Sequence, residues 1–153
     1  MNSVETDYWC LMLPLEWSAQ QDDGVISITD QDGIGELALT TLVKEPGELG
    51  ANTEAALTEL AALESPEVEE WTAARFGAFT GLAGWFQDDG THVREWYLDY
   101  GKALLYITYI CDLEDAGMDD AAIEEILGTL VVGDALSLHS VSYTHLTLPT
   151  NRE

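Results

Sequence analysis

The hydrophobic positions change period several times along the chain, and each change marks an element. Tyr8 to Leu13 is continuously apolar and stops at Pro14, the pattern of a buried strand ended by a residue that cannot donate to a ladder. A polar turn is expected through Gln20 to Gly24, then a short strand at Val25, Ile26 and Ile28, closed by the turn Asp30-Gln31-Asp32-Gly33. From Gly35 to Val43, Leu37 and Leu39 alternate with Glu36, Ala38 and Thr40, which predicts a strand with one buried face. Past Pro46 and Gly47 the period lengthens. Asn52 or Thr53 can cap a helix that carries Leu57, Leu60, Ala61 and Glu64 on neighbouring turns and ends before Pro66. Trp71 to Phe86, punctuated by Gly77, Gly81 and Gly84, reads as strand, and Asp88-Asp89-Gly90 turns the chain. The runs His92 to Tyr100 and Lys102 to Cys111 are rich in β-branched and aromatic residues and meet at Gly101 as a hairpin. A last helix, from about Met118 to Leu130, sets Ala122, Ile123, Ile126, Leu127 and Leu130 on one stripe, with Asp119 and Asp120 in the first turn where the helix dipole favours anions.

Hairpins require antiparallel pairing, and two amphipathic helices must cover the sheet. The predicted class is α+β, a single-domain α/β/α sandwich with a largely antiparallel sheet of about six strands and two main flanking helices. A length of 153 residues suits one domain, and no linker or repeat divides it. The apolar share of 46%, with Trp9, Trp17, Trp71, Trp85 and Trp96, supplies the buried area that an acidic disordered chain lacks.

Charge changes the picture of function. Against 29 Asp and Glu stand 5 Lys and Arg, a net charge of −24. Such a surface repels phosphate backbones and anionic lipid heads, so nucleic acid and membrane surfaces are not expected partners. The field favours a basic protein partner bound with strong salt dependence, or simply a solvated acidic shell suited to solubility or high salt. The opening Met1-Asn2-Ser3-Val4-Glu5-Thr6-Asp7 is acidic where a secretory signal is basic, which makes the cytoplasm the expected location.

Residues 141–150, Val-Ser-Tyr-Thr-His-Leu-Thr-Leu-Pro-Thr, resemble the conceptual translation of a transposase-type sequencing-library adapter. The expected domain is therefore 1–139, with 140–153 set aside from fold reasoning as a tail whose His145 and Arg152 carry no meaning.

Four features together resemble the PsbP-like superfamily: Leu13-Pro14-x-x-Trp17 after the first strand, a central helix, a late tyrosine-rich hairpin, and the closing helix Ile123-x-x-Ile126-Leu127-x-x-Leu130. That superfamily includes photosystem oxygen-evolving subunits, the eukaryotic Ran-binding release factor, DcrB-type lipoproteins and type VI secretion chaperones. Over residues 7–132 the resemblance implies a sheet flanked by helices and a role in binding other macromolecules without catalysis. No binding motif of the family transfers residue by residue, and many bacterial members are exported.

Motifs for chemistry are weighed against plainer readings. Gly33-Ile34-Gly35-Glu36-Leu37-Ala38 matches the dinucleotide pattern G-x-G-x-x-A, but Asp30 and Asp32 beside it repel phosphate and the next segment alternates as a strand, so a turn is the expectation. Asp30-x-Asp32-Gly33 hints at calcium, yet glycine comes two places early and the closing glutamate is missing. Asp88-Asp89, Asp112-x-Glu114-Asp115 and Asp119-Asp120 fit helix capping and loop solubility. His92, His139, Cys10 and Cys111 do not make a zinc set, and no nucleophile–base signature is visible. The two cysteines lie in apolar strands, as buried thiols do. No cofactor, metal or catalytic residue is expected.

Trp85, Phe86, Trp96, Tyr97, Tyr100, Tyr106 and Tyr109 remain as aromatics for a binding surface. Of these, Trp85, Trp96, Tyr97, Tyr100 and Tyr106 are the binding candidates, while Trp96 and Tyr97 must point to opposite faces of their strand. The expected function is a non-enzymatic binding or adaptor protein, chaperone-like, with an acidic surface for a basic protein partner. Two alternatives stand beside it: a small carboxylate-pocket enzyme or ligand-binding protein, and an immunity protein that neutralises a basic toxin.

Overall fold

The structure is a computed structural model, and it describes residues 2–44 and 53–136. The proposed cap at Asn52, the turn at Pro46 and Gly47, His139 and the adapter-like segment 141–150 lie outside the described residues. In chain order the elements are β1 (Asn2–Glu5), β2 (Trp9–Leu13), β3 (Trp17–Asp22), β4 (Val25–Asp30), β5 (Gly35–Val43), α1 (Thr53–Glu64), β6 (Thr72–Phe76), β7 (Phe79–Asp88), β8 (Thr91–Tyr100), β9 (Ala103–Asp112), α2 (Asp120–Leu127) and β10 (Val131–Val132).

Seven of these strands form one sheet in the order β3-β4-β5-β9-β8-β7-β6, and β1-β2-β10 form a second, smaller sheet. Every pairing is antiparallel. The class is the α+β sandwich expected, with a larger sheet and an added small one.

Turn chemistry sets the register. Asp23-Gly24 joins β3 to β4 and Asp89-Gly90 joins β7 to β8, each with two consecutive positive φ angles (53° and 85°, 50° and 82°), the type I′ geometry that matches strand twist. Period-two alternation then divides the large sheet's residues between its faces. One face carries Ile28, Leu37, Leu39, Trp96, Leu98, Leu105, Ile107 and Tyr109, and buries them against β2 (Trp9, Leu11, Leu13) and α2 (Ile123, Ile126, Leu127). Trp9 also donates its indole N–H to Thr41 Oγ1 at 2.8 Å, so its one polar atom is satisfied inside the core. The opposite face holds a smaller cluster in which Leu57 and Ala61 of α1 meet Tyr97 and Leu104.

Three segments differ from the pattern-based expectation. The polar turn expected through Gln20 to Gly24 narrows to Asp23-Gly24, because Trp17–Asp22 is a strand: only Trp17 is buried, and backbone pairing to β4 defines the rest as an edge. Trp71–Phe86 splits at Gly77, whose φ of 63° makes the turn between β6 and β7. The second helix is shorter, Asp120–Leu127, because its chain leaves through Gly128 into β10. Among the described residues no helix is long and apolar enough to cross a membrane.

Candidate functional site

The five aromatic candidates fall into different places. Trp96 is 1% exposed and Tyr97 4% exposed, so both belong to the core and neither can contribute to a surface, a correction to their expected role. Alternation sends them to opposite faces, Trp96 toward α2 and Tyr97 toward α1, and both faces are covered there. Tyr100 is half-buried against Phe79, ring centroids 5.9 Å apart. Tyr106 is half-buried on the α1 side, 4.9 Å from the Tyr97 ring, and Trp71 closes on Tyr97 edge-on at 5.6 Å. Trp85 alone of the five presents most of its side chain to solvent, at 58% exposure.

Trp85 stands where the sheet edge opens. β7 runs to Asp88, but β6 pairs only with Phe79–Ala83, because the chain entering β6 at Thr72 comes from across the sheet. That entering segment, Glu67 to Trp71, packs over Gly84. A side chain at Gly84 would collide with Val68 and Trp71, so glycine is what lets the segment lie this close. Between segment and strand lies a cleft of about 460 Å³ lined by Glu67, Glu69, Glu70, Trp85, Phe86 and Gln87, among others. His92 flanks it, its ring 5.7 Å from that of Trp85 and its Nδ1 3.3 Å from Gln87 Nε2. Burial holds the His92 pKa below its ordinary 6.5, aided by the Arg94 charge and opposed by Asp120.

Three of the four cationic side chains described have partners elsewhere. Arg94 lies 4.7 Å over the Trp96 ring and reaches Asp120 at 3.0 Å and Glu124 at 3.4 Å, fastening α2 to the sheet. Lys44 pairs with Asp99 at 2.7 Å, and Arg75 Nε donates to the Gly77 carbonyl at 3.4 Å. The cleft at Trp85 is therefore rimmed by three glutamates with no Lys or Arg among its lining residues.

Two buried polar groups lie within the sheet, one on each face. Tyr109 donates to Asp119 Oδ2 at 2.6 Å, and burial with this carboxyl drives the phenol well above its ordinary 10.0. On the other face Ser65 Oγ and Tyr97 Oη are 2.7 Å apart, and Tyr106 donates to Glu95 Oε2 at 3.0 Å. Glu95 is 7% exposed, and its Oε1 has no hydrogen-bond partner among the described residues.

The other motifs resolve into structure. Gly33 N–H bonds both the carbonyl and Oδ1 of Asp30, at 3.1 and 3.0 Å, and Gly35 starts a strand, so Gly33-x-Gly35 is a turn without the helix a pyrophosphate needs. Asp112, Glu114 and Asp115 bring carboxylates within 4.8 Å of one another at the end of β9, two of the three exposed, in a short 3₁₀ turn. Cys111 is buried and its thiol is pushed up by that burial; Cys10 is half-buried on β2. Sequence reasoning missed Glu67, Glu69 and Glu70. Their signal was present as three acids within four residues directly before Trp71, but their place beside the β7 edge depends on the chain crossing at Gly84.

No protein-family model matches the chain, and no curated protein sequence matches it. Among solved structures it is similar to cyanobacterial PsbP (CyanoP) of Synechocystis, at 8% identity and a TM-score of 0.62, over 86% of this chain and 91% of that one. It is also similar to LpqN, involved in cell envelope biogenesis of Mycobacterium tuberculosis, at 14% identity and a TM-score of 0.57, over 82% of this chain and 83% of that one. A protein of Bacteroides thetaiotaomicron matches with a TM-score of 0.61 and 14% identity over 85% of this chain, which spans 47% of that protein's length. At such identities the likeness is one of architecture, and it extends over most of this chain and over most of two of the three neighbours. The chain has the PsbP-like fold.

Proposed function

We propose that this protein is a non-enzymatic binding or adaptor protein that holds a basic protein partner at the cleft around Trp85. The observation that carries the reading is the β7 edge at Trp85, where an indole 58% exposed stands on one face and a cleft lined by Glu67, Glu69 and Glu70 opens beside the other. A large exposed aromatic costs solvation unless something covers it, and the carboxylates on the other side of the same strand edge favour Lys or Arg, so a partner lying along the edge meets apolar surface on one face and negative charge on the other. The net charge of −24 steers such a partner from a distance. A toxin-neutralising role uses the same surface and differs only in who the partner is.

The test is capture of partners from the native lysate at about 0.1 M and about 1 M salt, where the screening length falls from about 10 Å to about 3 Å. The expected result is a basic protein retained at low salt, released at high salt, and lost from both Trp85→Ala and the combined Glu67→Gln, Glu69→Gln and Glu70→Gln variant. Retention unchanged in these variants removes the cleft from the reading, and no captured protein removes the reading itself. Glu95, buried with Oε1 unpaired, supports a second reading in which a small ligand reaches the α1 side of the sheet. A ligand screen by thermal shift, repeated with Glu95→Gln, tests it; no hit that depends on Glu95 rejects it.

A further inference from the structure

We infer that the free stretch of β7, Gly84–Asp88, accepts an extended basic segment of the partner as an added strand. This rests on the cleft reading above and specifies how the partner engages. In the I′ hairpin of β7 and β8, Asp88 and Thr91 flank the two-residue turn as a hydrogen-bonded pair. Bonded and non-bonded pairs alternate from there, so Gln87 and Trp85 direct their backbone N–H and C=O away from β8. An independent contact fixes the same parity: Thr72 Oγ1 of β6 donates to the Ala83 carbonyl at 3.4 Å, so odd-numbered carbonyls of β7 face the β6 side.

Beyond Ala83 no strand receives them. Among the described residues no backbone hydrogen bond joins 84–88 to the segment at Glu67 to Trp71 that borders the cleft. An edge with unpaired donors and acceptors at every second residue is a template for another chain. The surroundings specify its chemistry. Side chains of an added strand alternate between the face of Trp85 and the face where Gly84 underlies the acidic segment. Lysine or arginine at every second position meets Glu67, Glu69 and Glu70, and the residues between lie along the indole. A second copy of this chain is disfavoured as occupant, since two such edges would bring six of these glutamates together, with Asp88 and Asp89 at each end.

The experiment uses the full chain and synthetic peptides of about eight residues, long enough to span the free edge at about 3.4 Å per residue. One alternates lysine or arginine with valine; a second carries glutamate at the charged positions; two more keep the basic sequence but are N-methylated on alternate amides in one register or the other. Binding is read by calorimetry, and the edge by amide hydrogen exchange at Trp85 and Gln87. The basic peptide is expected to bind and protect both amides. One methylated register weakens binding at least about tenfold, as does Gln87→Pro, which removes an outward N–H without touching a ladder bond or a charge. Should Gln87→Pro fail to fold by circular dichroism, the methylated peptides carry the test alone. Equal binding of both methylated registers and the parent overturns strand addition while leaving the charged cleft standing. Equal binding of basic and glutamate peptides, each protecting the edge amides, keeps strand addition and overturns the charge reading. No binding by any peptide overturns both, and protection of the amides by self-association without peptide makes a second copy the occupant.

Discussion

Tyr109→Phe isolates one hydrogen bond in the main core. The ring stays, so no cavity opens, and what is lost is the donor to Asp119 at 2.6 Å. Tyr109 is 1% exposed and Asp119 7% exposed, so water does not replace the donor without opening the contact between β9 and the start of α2. A hydrogen bond to a charged group contributes about 1.5–3 kcal/mol, and the stranded carboxyl places the expected loss near the middle, about 2 kcal/mol. For a domain of this size that lowers Tm by about 4–8 °C. Asp119 makes no side-chain cap bond to α2, although its backbone carbonyl accepts from Ile123, so its carboxyl serves Tyr109 and not the helix. The double variant with Asp119→Ala should therefore be more stable than the sum of the single losses predicts, by at least about 1 kcal/mol. The pH dependence has a defined sign. A phenol whose folded pKa is raised contributes stability that is present below its unfolded value of 10.0 and is lost as pH climbs toward the folded value, at up to about 1.4 kcal/mol per pH unit. Urea titrations at pH 7 and above pH 10 should show wild type well ahead of Tyr109→Phe at pH 7 and the two converging in alkali. A loss under about 0.5 kcal/mol at pH 7, or parallel curves into alkali, refutes the assignment.

Other perturbations follow from equally local geometry. Gly35→Ala drives a Cβ into the Tyr109 ring and should cost about 1–3 kcal/mol, read as a drop in urea midpoint with m unchanged. Lys44→Met strands Asp99, whose side chain is 12% exposed beside a lysine at 14%; residual solvent contact keeps the expected loss to about 2 kcal/mol, below that of a fully buried pair, and thermal melts measure it. Trp85→Ala should leave stability within about 0.5 kcal/mol while removing partner binding, a separation that the core residue Trp96 cannot show.

What the sequence made legible tracks where side-chain burial and backbone pairing coincide. β5, β8 and β9 were readable because Leu37 and Leu39, or Trp96 and Leu98, alternate against polar neighbours, and the turns at Asp89-Gly90 and Gly101 announce themselves. α2 was readable from Ile123, Ile126 and Leu127 on one stripe. β3 was not, since five of its six residues are exposed and only ladder bonds to β4 make it a strand. β1 and β10 were hidden for related reasons: β1 has four residues and none of them buried, and the two residues of β10 pair with β2 across the length of the chain, Val131 with Cys10 for example. For the site, Trp85 was among the candidates, but Trp96, Tyr97 and Trp85 look alike in one dimension. Only the coverage of each face by α1 or α2, and the stop of β6 opposite Ala83, separates core from surface.

The distribution of charge explains why the acidic excess and the free edge belong together. Of the four cationic residues described, Lys44 and Arg94 are bound to carboxylates across elements, and Arg94 also fastens α2 to β8. They neutralise acids that the fold brings close, and among the described residues leave Glu67, Glu69 and Glu70 without an ion pair. An unpaired strand edge beside an exposed indole would invite indiscriminate association on a neutral protein. In the proposed binding mode the same glutamates that would attract a basic strand would repel copies of this chain and acidic bystanders, so selectivity at the edge would come from repulsion as much as from attraction. Neutralising the three glutamates should then have two effects at once: weaker binding of a basic segment, and self-association that native charge prevents. Sedimentation of the triple Gln variant at low salt reads the second effect, and a variant that stays monomeric at high concentration shows that charge does not guard the edge.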